Sequence, residues 1–572
     1  MSSIPLSCST TIAAVSQFSS RPNNHHKTRT HKFEVRCNSQ NDETAPANKI
    51  DRRILLLGIG GLYGAANLAS ADHSPAFASP ISAPDISKCT RGTNLNTQQP
   101  LDVNCCPPVS EKIINYKLPP VKTMRFRPAA HLAGKEYIAK YEKAVELMKA
   151  LPDDDPRSFK QQANVHCAYC NLTYEQTGDS DTKLQVHNSW LFYPWHRWYL
   201  YFYERILGKL INDPTFGLPF WNWDHPDGMF MPDMFARKGS PLYNPLRNPN
   251  HFPPAITDLR YFGQEAADQS KVIQNNLVEM YGAMVRNVSK LEDFYGARYV
   301  TGTKPDPGAG SVERGSHTAM HVWVGQATPT GEDMGNFYSA GREPLFFSHH
   351  ANVDRLWSLF RGLRSGSKPR DFPDSDWLDS NFLFYDENAQ LVRVRVADTL
   401  ENEKMGYTFQ KVDLPWLKSR PTARVKKSKA AANSKAANAA ETKFPVKLDK
   451  VVQVLVDRPK KSRSKKDKEN EEELLVIEGI EVDTAKFVRF EVFVNDEDDK
   501  PSELIDKAEY AGCYSQVPHK NSTKVKSKIR LGLTELLEDL DVEDDDQILV
   551  SLVPKAGGED ITIGGIKIIY AA

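Results

Sequence analysis

Two hydrophobic patterns divide the chain. KEYIAKYEKAVELMKAL (135–151) and KVIQNNLVEMYGAMVRNV (271–288) repeat apolar residues three to four positions apart, which predicts amphipathic helices. RSFKQQANVHCAYCNLTY (157–174) predicts a helix running through Cys170. WHRWYLYFYERILGKLI (195–211) is apolar on all sides, which predicts a helix buried all round. From residue 444 the pattern changes. FPVKLDKVVQVLVDRP, LLVIEGIEV, FVRFEVFVND, QILVSLVP and ITIGGIKIIY are short β-branched runs between turns and charged stretches, which predicts an all-β sandwich over 444–572. Within it the charge run KKSRSKKDKENEEE (460–473) reads as a solvated loop. TARVKKSKAAANSKAANAAETK (422–443) has almost no large apolar residue, so 421–443 is expected to be an exposed, protease-sensitive linker. The expected fold is a mainly α domain with long loops over 79–420, followed by the C-terminal β-sandwich.

Residues 1–78 read as targeting signals. MSSIPLSCSTTIAAVSQFSSRPNNHHKTRTHKFEVR is Ser/Thr-rich, basic and without acid until Glu34, the composition of an organellar transit peptide. Arg52-Arg53 then precedes ILLLGIGGLYGAANLAS, an apolar run too short for a good membrane span, ending near Ala76-Phe77-Ala78. A transit peptide followed by a twin-Arg signal predicts the chloroplast, then the thylakoid lumen. No other stretch is long and apolar enough to span a bilayer, so stable membrane insertion is not expected. Lys+Arg and Asp+Glu both total 73, and this zero net charge gives no pull toward nucleic acid. Of eight cysteines, Cys89, Cys105, Cys106, Cys167 and Cys170 crowd the start of the mature chain, with Cys513 far away. The cluster suggests two disulfides and one thiol left over, in an oxidising compartment, with the pairing open. Cys167-x-x-Cys170 also reads as a redox or zinc pair, although no second C-x-x-C completes a four-thiolate site.

In SVERGSHTAMHVWVG (311–325), His317 and His321 share one helix face, with Glu313 one turn upstream. Such a pair alone is a weak metal signal, since polar packing also produces it. Two sets of three stand out among the fifteen histidines: His166, His187 and His196, then His317, His321 and His350. Imidazole-only ligands suit copper, zinc, iron or nickel. A zinc peptidase needs H-E-x-x-H, and here Thr318 stands in the glutamate's place. Di-iron bundles use mainly carboxylates.

QVHNSWLFYPWHRWYLYFYERI resembles the first copper motif of plant polyphenol oxidases (catechol oxidases, tyrosinase-like). HTAMHVWVG with DMGNFYSAGREPLFFSHHANVDRLW resembles the second. PFWNWDHPDGM, DLPWLKSRP and KFVRFEVFVNDED also resemble recurring segments of that family. The resemblance runs from about Ser79 to the C-terminus. It implies a four-helix bundle holding two copper ions. His166, His187 and His196 would hold the first; His317, His321 and His350 the second. His350 is preferred to its neighbour His349 because the ligand precedes an Asp, here Asp354, by four residues. The resemblance also implies disulfides Cys89–Cys106 and Cys105–Cys167, and a thioether from Cys170 to His187.

The implied reaction is oxidation of o-diphenols (catechols) to o-quinones with reduction of O2 to water. Phe337 matches the aromatic that stacks on or gates the phenol, and Glu313 the residue that holds a water. Thr318 occupies a position that tunes monophenol hydroxylation, a second activity left open. The segment Glu313-Arg314-Gly315-Ser316-His317 departs from a family pattern closer to Glu-Asn-Ile-Pro-His. Asp354, Arg355, Tyr407 and Phe409 read as structural. The C-terminal domain would shield the site until a protease cuts the linker, which makes the chain a latent precursor. The partners implied are small phenols, O2 and that activating protease. The alternatives are a hydroxylase dedicated to a pigment or lignan pathway and a dinuclear copper O2 carrier. Lumenal targeting leaves the sequons at Asn171, Asn287 and Asn521 unglycosylated.

Overall fold

The computed structural model describes residues 79–91, 103–328, 330–363, 370–421, 434–496, 508–519 and 523–571. The expected targeting segment, most of the 422–443 linker and Asn521 lie outside them.

The predicted helices form as α1 (Lys135–Lys149), α2 (Phe159–Cys170), α3 (Phe192–Leu210) and α4 (Val272–Tyr281), and the His317/His321 stretch as α5 (Thr318–Val324). α6 (Pro344–Gly362) is a further helix that the apolar spacing did not single out. Local chemistry sets their ends. The Ser158 hydroxyl accepts from the Gln161 N–H and starts α2. Glu343 accepts from the Leu345 N–H ahead of Pro344 and starts α6. Two π-helical turns interrupt the α pattern: Gly282–Arg286 extends α4, and Glu313–His317 leads into α5. Trp190, Trp195, Trp198, Trp221, Trp223, Trp323 and Trp357 are fully buried around α3 and α6. Tyr203 of α3 stacks on Phe347 of α6 with ring centroids 3.5 Å apart. Small sheets edge the domain. β1 (Arg125–Arg127) pairs in parallel with β4 (Tyr407–Phe409), and β2 (Asn381–Tyr385) pairs with β3 (Leu391–Arg395) in a hairpin.

Buried ions tie α3 to α6. Asp354, one turn beyond His350, accepts from Arg197 Nε at 2.5 Å, Arg127 Nη1 at 2.9 Å and the Tyr407 hydroxyl at 2.6 Å. Glu204 accepts from Arg125 Nε and Arg127 Nε at 2.6 and 2.7 Å. Each carboxylate has several charge-assisted partners, which is what makes its burial affordable.

The C-terminal part is a two-sheet β-sandwich. Its strands are β5 (Val446–Lys447), β6 (Val452–Asp457), β7 (Glu472–Asp483), β8 (Val488–Val494), β9 (Tyr510–Gln516), β10 (Lys524–Gly532), β11 (Gln547–Ala556), β12 (Thr562–Ile563) and β13 (Gly565–Ala571). One sheet runs β9-β8-β11-β6; the other runs β10-β7-β12-β5, with β13 also on β7. Leu475, Ile477, Phe490, Val492, Ile529, Val550 and Ile568 fill the space between them. β8 and β9 are buried at every position because their second face meets the helical domain. There Phe493, Tyr510 and Val553 pack on Val278 of α4.

Three expectations change. The charge run is not all loop: Lys465–Asn470 forms a short exposed helix, because Ser464 and Asp467 cap each other reciprocally. The described end of the linker is not free: the Ala439 N–H donates to Leu455 O and the Leu455 N–H to Ala437 O, which extends the β6 edge. The β-domain also contains a helix, α7 (Thr534–Leu540), and two strands, β9 and β10, that the hydrophobic runs did not single out.

Candidate metal centre

The fold brings the two histidine sets together. His166 comes from α2, His187 from the loop before α3, and His196 from α3. His317 ends the π turn, His321 lies one turn on in α5, and His350 lies on α6. All six are at most 2% exposed. One ring nitrogen each of His166, His187 and His196 lies within 4.8 Å of the others, and the same holds for His317, His321, His349 and His350. The sets face each other: His196 stacks on His350 with centroids 4.2 Å apart, and His187 lies 6.0 Å from His317.

Hydrogen bonds fix how these rings present themselves. A carbonyl oxygen only accepts, so a ring nitrogen bonded to one carries the proton. Nδ1 of His166 donates to Phe337 O at 3.0 Å, of His196 to Phe192 O at 2.8 Å, of His317 to Glu313 O at 3.1 Å, and of His321 to Met334 O at 2.7 Å. Each therefore keeps a bare Nε2 lone pair. Nε2 of His166, His196 and His317 is buried without a partner, as are both ring nitrogens of His187. Nε2 of His321 lies 3.2 Å from Nε2 of His350. Burial depresses the histidines, His196 to about 3 and His321 to about 4, so the rings are neutral near pH 7. Converging neutral imidazole lone pairs fit a bound cation, and an all-nitrogen set with no carboxylate or thiolate fits copper.

Around the rings, Phe337 lies 4.2 Å from His187, centroid to centroid, at 41°. Glu313 is buried, and Oε1 accepts from the Asn188 N–H at 2.7 Å. Oε2 has no partner, and burial pushes the carboxyl well above its usual range. Asn188 Nδ2 donates to Asp306 at 3.0 Å, and burial pushes that carboxyl up to about 7. Thr318 donates its hydroxyl to Glu313 O at 2.8 Å, so its polar atom serves the helix backbone. Cys170 is a buried free thiol, raised by burial, while Cys89 is bonded to Cys106 and Cys105 to Cys167. The side chains of Asn171 and Asn287 are buried, Asn287 donating to Ala511 O at 2.8 Å, so the fold itself leaves neither open to a glycan.

Several contributors escaped the sequence reading. Gln185 Oε1 accepts from the N–H groups of Val186 and His187, which shapes the loop before α3. Its Nε2 donates to Cys170 O at 3.0 Å and lies 2.6 Å from Nε2 of His519. His519 is buried and stands 4.6 Å from Phe337, ring to ring. The Phe337 N–H donates to Pro518 O at 3.0 Å. The loop after β9 thus lies directly on the site. Spacing gives no signal for the contact between Gln185 and His519, which are close only in the fold.

Three family descriptions match consecutive parts of the chain. They are the common central domain of tyrosinase over 156–363, the polyphenol oxidase middle domain over 371–422, and the chloroplastic polyphenol oxidase C-terminal domain over 444–570. A chloroplastic polyphenol oxidase of Malus domestica is 53% identical, over 94% of this chain and 91% of that protein. A (+)-larreatricin hydroxylase of Larrea tridentata is 47% identical over 94% of each. Among solved structures, latent apple tyrosinase superposes with a TM-score of 0.76 at 55% identity, over 81% of this chain and all of that one. Latent aurone synthase gives 0.81 at 44%, over 86% and 99%. Helical core, middle segment and C-terminal sandwich each match in sequence, and the chain belongs to the plant polyphenol oxidase family.

Proposed function

We propose that the chain is a latent, dinuclear copper oxidase of o-diphenols. The observation that carries this reading is the pair of facing, buried, neutral three-imidazole sets with unpartnered nitrogens. His166, His187 and His196 would hold one copper; His317, His321 and His350 the other. The copper pair, when bound, supplies the binding and reduction of O2 with electrons from the phenol. The chain does the rest. Carbonyl acceptors lock four of the rings in the tautomer that presents Nε2. Phe337 offers its face to an aromatic substrate. Glu313, held by Asn188 with Oε2 unpartnered, is the carboxyl that would hold a water beside a phenol. A thioether from Cys170 to His187 would add rigidity to a ligand on a loop.

Latency fits the contact of Pro518 and His519 with Phe337, where a phenol would stack. Cleavage in 421–443 would free the residue 79–420 domain from the 444–572 sandwich. The names of the relatives and the 1–78 targeting pattern support the chloroplast, and the twin-Arg pattern supports the lumen. No helix among the described residues is long and apolar enough to cross a membrane.

A dedicated phenol hydroxylase is the second reading. It is favoured by the Arg314-Gly315-Ser316 departure and by relatives named larreatricin hydroxylase and aurone synthase. Metal analysis of the chain from residue 79 tests the site: two coppers per chain support it, and copper-free protein after loading rejects it.

A further inference from the structure

His349 stands among the second set of imidazoles, yet its hydrogen bonding is reversed. Its Nδ1 accepts from the indole N–H of Trp223 at 3.1 Å. An indole nitrogen only donates, so Nδ1 holds the lone pair and the proton of the neutral ring sits on Nε2. That Nε2–H is buried and has no partner. His166, His196, His317 and His321 are locked the opposite way, with a bare Nε2. Trp223 is itself rigidly held. It is fully buried, and its neighbour Asp224 accepts from Asn352 Nδ2 at 2.9 Å, Arg355 Nη1 at 3.0 Å and Trp416 Nε1 at 2.9 Å. Asn352 and Arg355 lie just beyond His349 on α6, so the brace that aims the indole grips the same helix.

We propose that Trp223 makes His349 a fixed N–H donor at the second metal position, a positioning residue that hydrogen-bonds a small anion bound there. The ring centroid lies 5.3 Å from His317 and 5.1 Å from both His321 and His350, and one nitrogen of His349 lies within 4.8 Å of a nitrogen of each, which places the ring beside the ligand candidates. The Trp223 bond occupies Nδ1 of His349, whereas Nδ1 of His350 takes no such indole bond, which accords with His350 rather than its neighbour completing the set. A buried N–H without a partner is costly, and an anion at the metal would satisfy it. The inference rests on the dinuclear copper reading.

The test uses the full chain loaded with copper(II), with copper per chain and azide affinity, followed by absorption titration, as readouts. His349→Phe is expected to keep the wild-type copper content and to bind azide roughly tenfold more weakly, the loss of about one hydrogen bond. Trp223→Phe, which keeps the imidazole but frees its tautomer, is expected to weaken azide by a smaller factor at full copper. His349→Gln, which retains an N–H donor, is expected to recover part of the affinity. Loss of a copper in His349→Phe would make His349 a ligand and overturn the proposal. So would azide affinity unchanged in Trp223→Phe, which decides the matter if His349→Phe does not fold. Wild-type protein that takes up no copper would instead reject the underlying site.

Discussion

At the residue scale, the site is built by choosing tautomers. Four carbonyls each take an Nδ1 proton and leave Nε2 bare, while Trp223 does the reverse at His349. Replacing His321 by Gln is expected to reduce copper toward one per chain and to abolish oxidase turnover, with metal analysis and oxygen uptake as the checks. Asp306 makes a pH prediction. Its carboxyl titrates near 3.8 in the unfolded chain and near 7 in the fold, where burial outweighs the amide bond from Asn188. Between those values the folded chain holds a proton that the unfolded chain has released, so stability falls as pH rises through the window. Asp306→Asn removes the term, and its unfolding midpoint is expected to fall less than the wild-type value from about pH 5 to about pH 8. Five of the six ligand candidates were legible because they lie in the two quoted motifs, and His166 because it lies on the helix predicted over 157–174. Asp306 and His519 were not, because their partners lie 118 and 334 positions away in sequence, and Gln185 was not, because its bonds to the next two N–H groups leave no residue pattern and its other partners are distant.

At the scale of elements, the segment before α5 sits closely against its neighbours. A Cβ added at Gly310 would lie 1.8 Å from Phe294 O, a backbone atom that cannot swing aside. Gly310→Ala is therefore expected to cost about 1–3 kcal/mol or more, read by denaturant unfolding. The π turn that follows is clasped by β9 and β10: the hydroxyl of Ser515 in β9 donates to Arg314 O, while Arg314 Nη2 donates to Arg530 O of β10 at 3.3 Å. Arg314, the first residue at which the segment departs from the family pattern, is buried at the domain contact. α1 to α4 were legible from their apolar patterns and β7, β8 and β11 from their β-branched runs, while α6 was not singled out. β9 was not, because YAGCYSQ mixes small and polar residues on a strand covered on both faces. β10 alternates cleanly, with Val525, Ser527 and Ile529 inward, but its lysines masked the pattern.

At the scale of the molecule, among the described residues the loop after β9 brings the sandwich onto the candidate metal centre. His519→Ala removes the ring that meets Phe337 and Gln185. Its intact form is expected to oxidise catechol severalfold faster than the intact wild type, while the two cleaved forms are equal. Equal rates in the intact forms would show that another part of the sandwich blocks the site. The most direct measurement is oxygen uptake with 4-methylcatechol on copper-loaded protein from residue 79, before and after limited proteolysis, with copper counted on the same sample. The account predicts two coppers per chain and an uptake that rises on cleavage. Two coppers with no uptake before or after cleavage would contradict it.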